Sequence, residues 1–397
     1  MGNLLAKYTR LADRLLFLFL CCLFFFIPFA TSPAVISGAI ALAIWIFSGM
    51  AFRDRDKWLK QKWTLPVLVF MLLPWAGLLW TNDIAGGLDF AKKSYYWLYA
   101  FAIASLAFSR HSITVLLNAF IVGLTLFSII ALLQISNLIP LVKGLPTIST
   151  KSITTSLLLV FGVLILSFYF IEANGIKRKA IIVSVMILFF LTLSVGTGRA
   201  GYLAYILLSP VVMYNIFGKK IIKVIAVTAI TIAVLFLSPS VQERTDLVFS
   251  DISNYQQMDP NTSVGLRLHM WTGAVKIFLE NPIIGVGTGG YQSAMKKYET
   301  PNLAPIHRDF SDPHNSYLYM AANFGILGII SLFWLFLSLL KNGWRNRHNI
   351  TGFAILSYTL VLMIGSLTGT QILSLATAFL FAVFTGLQKH LESENKK

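Results

Sequence analysis

Apolar runs long enough to cross a bilayer recur along this chain from Leu15 to Leu387. No other feature restricts the fold as strongly, because a helix needs about 20 apolar residues to cross the hydrocarbon core. Only 12% of residues are charged, against 56% hydrophobic, and the mean hydropathy is +0.74; a soluble domain carries roughly twice that charged share. Barrel strands alternate polar and apolar residues and these runs do not, so helices are the spanning element. The runs lie at roughly 15–31, 34–51, 64–80, 95–108, 113–134, 154–171, 180–197, 200–217, 221–238, 315–340, 351–368 and 371–388. The expectation is an all-α polytopic membrane protein of about twelve transmembrane helices, a single integral membrane domain over residues 1–397.

An even number of spans puts both termini on one side. With the N-terminus in the cytoplasm, the inner segments hold 21 of the 32 Lys and Arg, as the positive-inside rule requires. The formal charge of +16 is therefore mostly topology and not a nucleic-acid surface. Lys7, Arg10 and Arg14 precede the first run without a clear small-x-small cleavage site, which reads as an uncleaved first helix. Cys21 and Cys22 are adjacent inside that run and imply no disulfide framework. No charge occurs between Arg347 and Lys389, so the 38 residues Thr351–Gln388 make two helices turning near Gly369. One long kinked helix is the competing reading, and it would move the C-terminus to the other face.

The large outer loop, residues 239–313, carries six basic and eight acidic residues. Its first part, Val241–Thr262, reads as polar and irregular. From Leu266 to Leu279 it becomes amphipathic, with Trp271, Ala274, Val275 and Phe278 on one face, and Asn281-Pro282 stops the helix. The simplest placement is a helix lying on the membrane surface with its aromatic face in the interface.

The chemistry concentrates between Asp259 and Gly328, which holds three of the six histidines. Just upstream, Arg199, in Gly196-Thr-Gly198-Arg199-Ala-Gly201, is the only charge between Lys179 and Lys219. A boundary arginine is costly unless solvated, snorkelled or paired, and its flanking glycines admit a close ligand. Arg267 begins the amphipathic helix, where anions are favoured. Two arginines can grip a diphosphate through charge-assisted, bidentate hydrogen bonds and stabilise its charge as it leaves. His314 follows Pro313 at the start of a span, and a neutral imidazole there can accept a hydroxyl proton. A snorkelling Arg199, a solvated Arg267 and a helix-end His314 are the plainer alternatives. Lys92 and Lys93, also on the outer face, either touch lipid phosphates or snorkel. Gly285-x-Gly287-x-x-Gly290 fits a dinucleotide fingerprint but has no βαβ context; it remains a loop whose amides could face phosphate. Asp54-Arg55-Asp56 sits on the inner side among basic residues and reads as a solvated loop. No metal or cofactor is called for.

The ordered set of motifs resembles the O-antigen ligase and O-antigen polymerase superfamily of membrane glycosyltransferases. His314-Asn315 followed after nine residues by Gly325-x-x-Gly328 carries the resemblance. Asp312-Pro313, Asn281-Pro282-Ile283-Ile284-Gly285-Val286-Gly287, Gly265-x-Arg267-x-x-x-Trp271 and Thr197-Gly198-Arg199-Ala200 add to it. The resemblance implies a GT-C-like fold in the bacterial inner membrane with its active site on the periplasmic face. The donor would be a glycan on undecaprenyl diphosphate, the acceptor the lipid A-core, and the reaction inverting and metal-independent, without a cofactor. Arg199 and Arg267 would bind diphosphate, His314 would activate the acceptor hydroxyl, and Asn315 would position the histidine or the acceptor. Asp312, Gly285 and Gly287 would support them. A polymerase of lipid-linked repeat units is the first alternative, a protein O-oligosaccharyltransferase a weaker one. A transporter would place charge near the midplane, and no span here does.

Overall fold

The computed structural model describes residues 2–141, 147–150, 152–256, 261–299, 303 and 310–391. Asp259 and the loop segments 257–260, 300–302 and 304–309 lie outside the described residues. The longer helices run in order α1 Gly2–Phe26, α2 Thr31–Phe47, α3 Thr64–Ala76, α4 Ile84–Lys92, α5 Leu98–Ser105 and α6 Arg110–Ile135. They continue as α7 Ser152–Glu172, α8 Ile176–Val195, α9 Arg199–Phe217, α10 Ile221–Phe236 and α11 Pro239–Gln256. The last five are α12 Ser263–Glu280, α13 Gly290–Met295, α14 Ser316–Arg345, α15 Ile350–Gly365 and α16 Leu375–Leu387. Among the described residues there is no strand. Helix starts follow local chemistry: Ser109, Thr262, Asn315 and Asn349 each accept a hydrogen bond from a backbone N–H of the first turn.

All of the apolar runs are helical, so the protein is an all-α, multi-pass membrane protein. Five described helices, α6 to α9 and α14, are long and apolar enough to cross a membrane. A sixth is added if α10 and the start of α11, bent by 81° at their junction, form one span. Helices α2, α3 and α15 are apolar but shorter. Helix α7 lies at the centre, with 78% of its apolar window buried against 28% for α8. Its Phe161 packs 5.4 Å from the rings of Phe120, Tyr358 and Phe384, joining α6, α15 and α16.

The chain end forms two helices. Asn315 and Tyr317, at the start of α14, donate to Leu367 O and Met363 O at the end of α15. Asn342, near the end of α14, donates to Gln388 Oε1 just after α16. Helix α15 is therefore antiparallel to α14, and α16 returns parallel to it. The break near Gly369 is a turn, not a kink.

Helix α14 is itself interrupted. Gly325 has φ +59 and ψ −146, far from helical values. The segment Pro282–Thr288 inserts there: Val286 N and Gly287 N donate to Ala322 O and Asn323 O at 3.0 and 2.9 Å, and Ile326 N donates to Pro282 O at 2.8 Å. Carbonyls and amides freed by the break thus regain partners, as a membrane interior demands.

Two loop expectations are corrected. Residues 239–256 are helical, not irregular: Ser238-Pro239 starts the helix, Pro being suited to the first helical position. Helix α12 exists as expected, but its buried face is Met270, Ala274 and Ile277, packed with Tyr291, Met295 and Phe310. Of the residues expected to face the membrane interface, Ala274 belongs to that buried stripe and Val275 is exposed. The i, i+4, i+7 spacing of 270, 274 and 277 makes the protein-facing stripe. Asp54 is buried and ion-paired with Arg53 and Lys57 at 2.6 and 2.8 Å, so its loop is not simply solvated.

A Cβ on Gly325 would overlap the backbone of Ile283. Gly325→Ala should therefore lower stability by roughly 1–3 kcal/mol, read as a reduced melting temperature in detergent. Gly343→Ala, which meets Leu356 from a normal helical position, serves as the control with a smaller effect.

Candidate active site

Three arginines converge where α9, α11 and α12 begin or meet. Arg199 is the first residue of α9, whose N-terminus packs tightly on α7: a Cβ on Gly198 or Gly201 would collide with Ser152 or Ser156. The glycines expected to admit a ligand thus admit α7. Tyr202, one turn on, donates to Gly196 O and fixes the approach. Ser238, at the junction of α10 and α11, donates to Ser194 O at 2.6 Å, which seats α11 against the end of α8. That contact brings Arg244 within electrostatic reach of Arg199 and Tyr202. Asp251, further along α11 and 6% exposed, accepts from Val264 N at 3.1 Å and so ties α11 to the start of α12.

Arg267 follows on the first turn of α12. Burial and the neighbouring Arg199 guanidinium both push it below the ordinary arginine value. The loop does fold back so that the two predicted arginines meet across 68 residues of chain. Among the described residues, neither they nor Arg244 makes a hydrogen bond or ion pair, and the Arg244 Nε is buried without a partner. One carboxylate, Asp251, reaches Arg199. Three partly buried guanidiniums with one acid in reach are a cationic cluster of the kind that can hold an anion.

His314 is tied to the same helix. Trp271, one turn beyond Arg267, donates its indole N–H to Pro313 O at 3.0 Å. His314 adopts φ +48, a left-handed backbone that is uncommon outside glycine. Asp312 holds it there: its Oδ1 accepts from His314 N at 2.7 Å and lies 3.5 Å from Nδ1. Thr370, from the turn before α16, donates to the same oxygen. The imidazole stays half-exposed, at 52%. Its Nδ1 edge faces Asp312, and Nε2 is the opposite edge of the ring.

The other expected residues lie elsewhere. Asn315 is 7% exposed and fully engaged, accepting from Tyr317 N and Leu318 N and donating to Leu367 O. It fixes the start of α14 and so acts on His314 through the backbone. Gly285 and Gly287, at φ +66 and +84, press against the backbones of α14 and of Gly77–Thr81. The amides from Gly285 to Thr288 are all donated to carbonyls. That loop therefore presents no amide cradle for phosphate; its glycines serve close packing. Lys92 is exposed and paired with Asp89 at 3.3 Å, and Lys93 lies over the Phe90 ring. Neither interacts with Arg199, Arg267 or His314 among the described residues.

The sequence reading missed Arg244, having taken its segment as irregular. The signal was present: Val241, Arg244, Val248 and Asp251 recur at the helical spacing i, i+3, i+7, i+10 after Ser238-Pro239. His269 was also passed over. It is 7% exposed, lies beside the Phe310 ring, and its Nε2 is buried without a partner.

Comparison with known proteins matches residues 183–333 to the family model described as O-antigen ligase. That segment contains Arg199, Arg244, Arg267 and His314. The matched segment, less than half of the chain, is similar to the O-antigen ligase family. It is 29% identical to an uncharacterized protein of Haemophilus influenzae over 177 residues, 42% of this chain and 44% of the relative. It is 27% identical to the O-antigen ligase of Escherichia coli K12 over 140 residues, 33% of this chain and 32% of the relative. The matches thus span less than half the length of these relatives. The ligase-family segment ends within α14, so the helices that contact the start of α14 from the C-terminal side lie beyond it.

Burial and, secondarily, Lys276 hold the His269 imidazole below its ordinary value of 6.5, with Glu299 opposing. The unfolded chain then binds the proton first, so stability is intact above pH 6.5 and is lost as pH falls through it. Melting temperature should drop between pH 7 and pH 5.5. In His269→Gln that slope should flatten, while a slope unchanged from the parent would remove His269 as its source.

Proposed function

We propose that this protein transfers a glycan from undecaprenyl diphosphate to the lipid A-core, as an inverting glycosyltransferase on the periplasmic face of the bacterial inner membrane. In this reading about twelve spans make one integral membrane domain of GT-C-like character, and residues 239–313 form the periplasmic loop. The observation that carries the proposal is that Arg199 lies within electrostatic reach of both Arg244 and Arg267, with Asp251 the one carboxylate reaching it among the described residues, while Trp271 on the same helix as Arg267 ties down the segment of a histidine held by a carboxylate.

The chemistry follows from those groups. The donor diphosphate sits among the guanidiniums, whose planar forks suit phosphate oxygens. His314 Nε2 removes the proton of an acceptor hydroxyl while that oxygen attacks the anomeric carbon. The bond between that carbon and the diphosphate oxygen breaks, and the leaving diphosphate takes the electron pair. Negative charge grows on it as the bond lengthens, and the arginines stabilise that growth more than they stabilise the bound donor. Asp312 stabilises the imidazolium formed and keeps Nε2 forward, the division of labour seen when a carboxylate backs a catalytic histidine. The charge of the leaving group is met by arginine alone, so no metal enters the scheme.

His314→Ala, Arg199→Ala and Arg267→Ala should each cut transfer by roughly 10²–10³-fold or more in a purified assay while the protein still inserts in the membrane. Full activity of the His314 variant would remove it as the base. Arg244→Ala should raise the donor KM and lower kcat, and Arg267→Lys should rescue only in part because the bidentate fork is lost.

Chelation by EDTA should leave turnover unchanged; inhibition reversed by added metal would overturn the metal-independent scheme. Deleting the gene separates ligase from polymerase. A ligase deletion leaves bare core and long polymer on undecaprenyl diphosphate, whereas a polymerase deletion leaves core capped with single repeat units.

A further inference from the structure

A second cationic cavity lies at the other end of α14, about 45 Å along the helix by its rise per residue were the 30-residue helix unbroken. It has a volume of about 540 Å³ and sits between the Gln61–Trp63 loop, the last turns of α14 and the residues after α16; ligand pockets generally fall between roughly 300 and 1,000 Å³. Lys62, Lys341 and Arg345 line it, and none of them makes an ion pair among the described residues. Lys341 and Arg345 stand four residues apart on one helix face, a like-charge pairing that disfavours the helix unless an anion sits between them.

The rest of the lining is of two kinds. Gln388 Oε1 accepts from Asn342 Nδ2 at 2.6 Å and Ser338 Oγ at 3.2 Å, which makes a fixed polar back wall. Trp63 is 2% exposed, and its indole N–H is buried without a hydrogen-bond partner. From the cations, the same face of α14 runs on to Trp334 and Leu337, which are 41% and 60% exposed. The cavity is thus a cationic mouth continuous with an apolar stripe. A small soluble anion uses only the first part. A molecule with an anionic phosphodiester head and acyl chains uses both, and basic pockets between membrane helices suit such heads.

We propose that this cavity binds the headgroup of an anionic phospholipid, with an acyl chain along Trp334 and Leu337. The site is separate from the arginine cluster and does not depend on the glycan-transfer reading.

The test uses the full chain in detergent, with native mass spectrometry against added phosphatidylglycerol, phosphatidylcholine or inorganic phosphate. Phosphatidylglycerol should bind at least ten times more tightly than phosphatidylcholine. Lys341→Gln with Arg345→Gln should remove that preference, and Trp334→Ala should weaken binding of the same lipid. Lys62→Gln, in a loop outside α14, gives an independent loss should the double variant melt abnormally. Equal binding of both lipids, or a preference untouched by these variants, would overturn the proposal. So would full displacement by millimolar phosphate, which marks a small-anion site.

Discussion

The backbone exchange at Gly325 is the contact on which the site geometry rests. A helix broken inside an apolar bundle leaves carbonyls and amides that water cannot reach, at a cost of several kcal/mol for each one left unpaired. Here the break is answered by one loop, which gives two amides to Ala322 O and Asn323 O and takes one from Ile326. That loop is the exit of α12, and α14 begins two residues after His314. The clip therefore fixes the helix carrying Arg267 against the helix that presents the histidine. Gly285 and Gly325 face each other's backbone segments so closely that neither position admits a Cβ. Their positive φ values are needed for the same reason.

Within that frame the electrostatics are one-sided. Arginine cannot shed its proton at physiological pH, so Arg199, Arg244 and Arg267 cannot relieve their repulsion by neutralising. Asp251 offsets part of it, but it is already committed to Val264 N. In the proposed reading the remaining relief comes from the diphosphate, an anion with more than one charged oxygen. Partial burial lowers the local dielectric and strengthens that attraction. The helices that carry the three arginines are tied to one another by Ser238–Ser194 and Asp251–Val264, so their backbones are placed before an anion arrives.

Much of this was legible in the chain. Apolar runs gave the helices because length and hydropathy decide what can cross a bilayer. Arg199 stood out as a single charge in a long apolar stretch, and Arg267 and His314 stood at helix starts beside Gly and Pro signals. What escaped was tertiary. Arg244 lies among Gln242, Glu243 and Asp246, where polarity hid the helical period. The Gly285–Gly287 loop looked like a phosphate cradle because glycine spacing cannot reveal where the amides point. They point at α14. The protein-facing stripe of α12 was not marked because Trp271 and Phe278 dominate by size, whereas Met270, Ala274 and Ile277 make the packing stripe. Only the partner surface could decide between them.

Helix α14 shows why the break matters beyond the site. From Ser316 to Gly325 no residue is exposed, and the segment includes Asn323 and the small Ala321 and Ala322. From Ile326 onward the helix shows Ile326, Leu327, Ile330, Phe333, Trp334 and Leu337 to its surroundings. One half belongs to the protein interior, the other to lipid. An unbroken helix would have to satisfy both environments on one continuous set of faces. The non-helical dihedrals at Gly325 let each half present its own, and the inserted loop keeps the inner half fixed. His314 is held from outside the helix, by Asp312, Thr370 and the Trp271 contact to Pro313. The position of the histidine is therefore set by the interior half and its neighbours, and not by how the outer half settles against the bilayer.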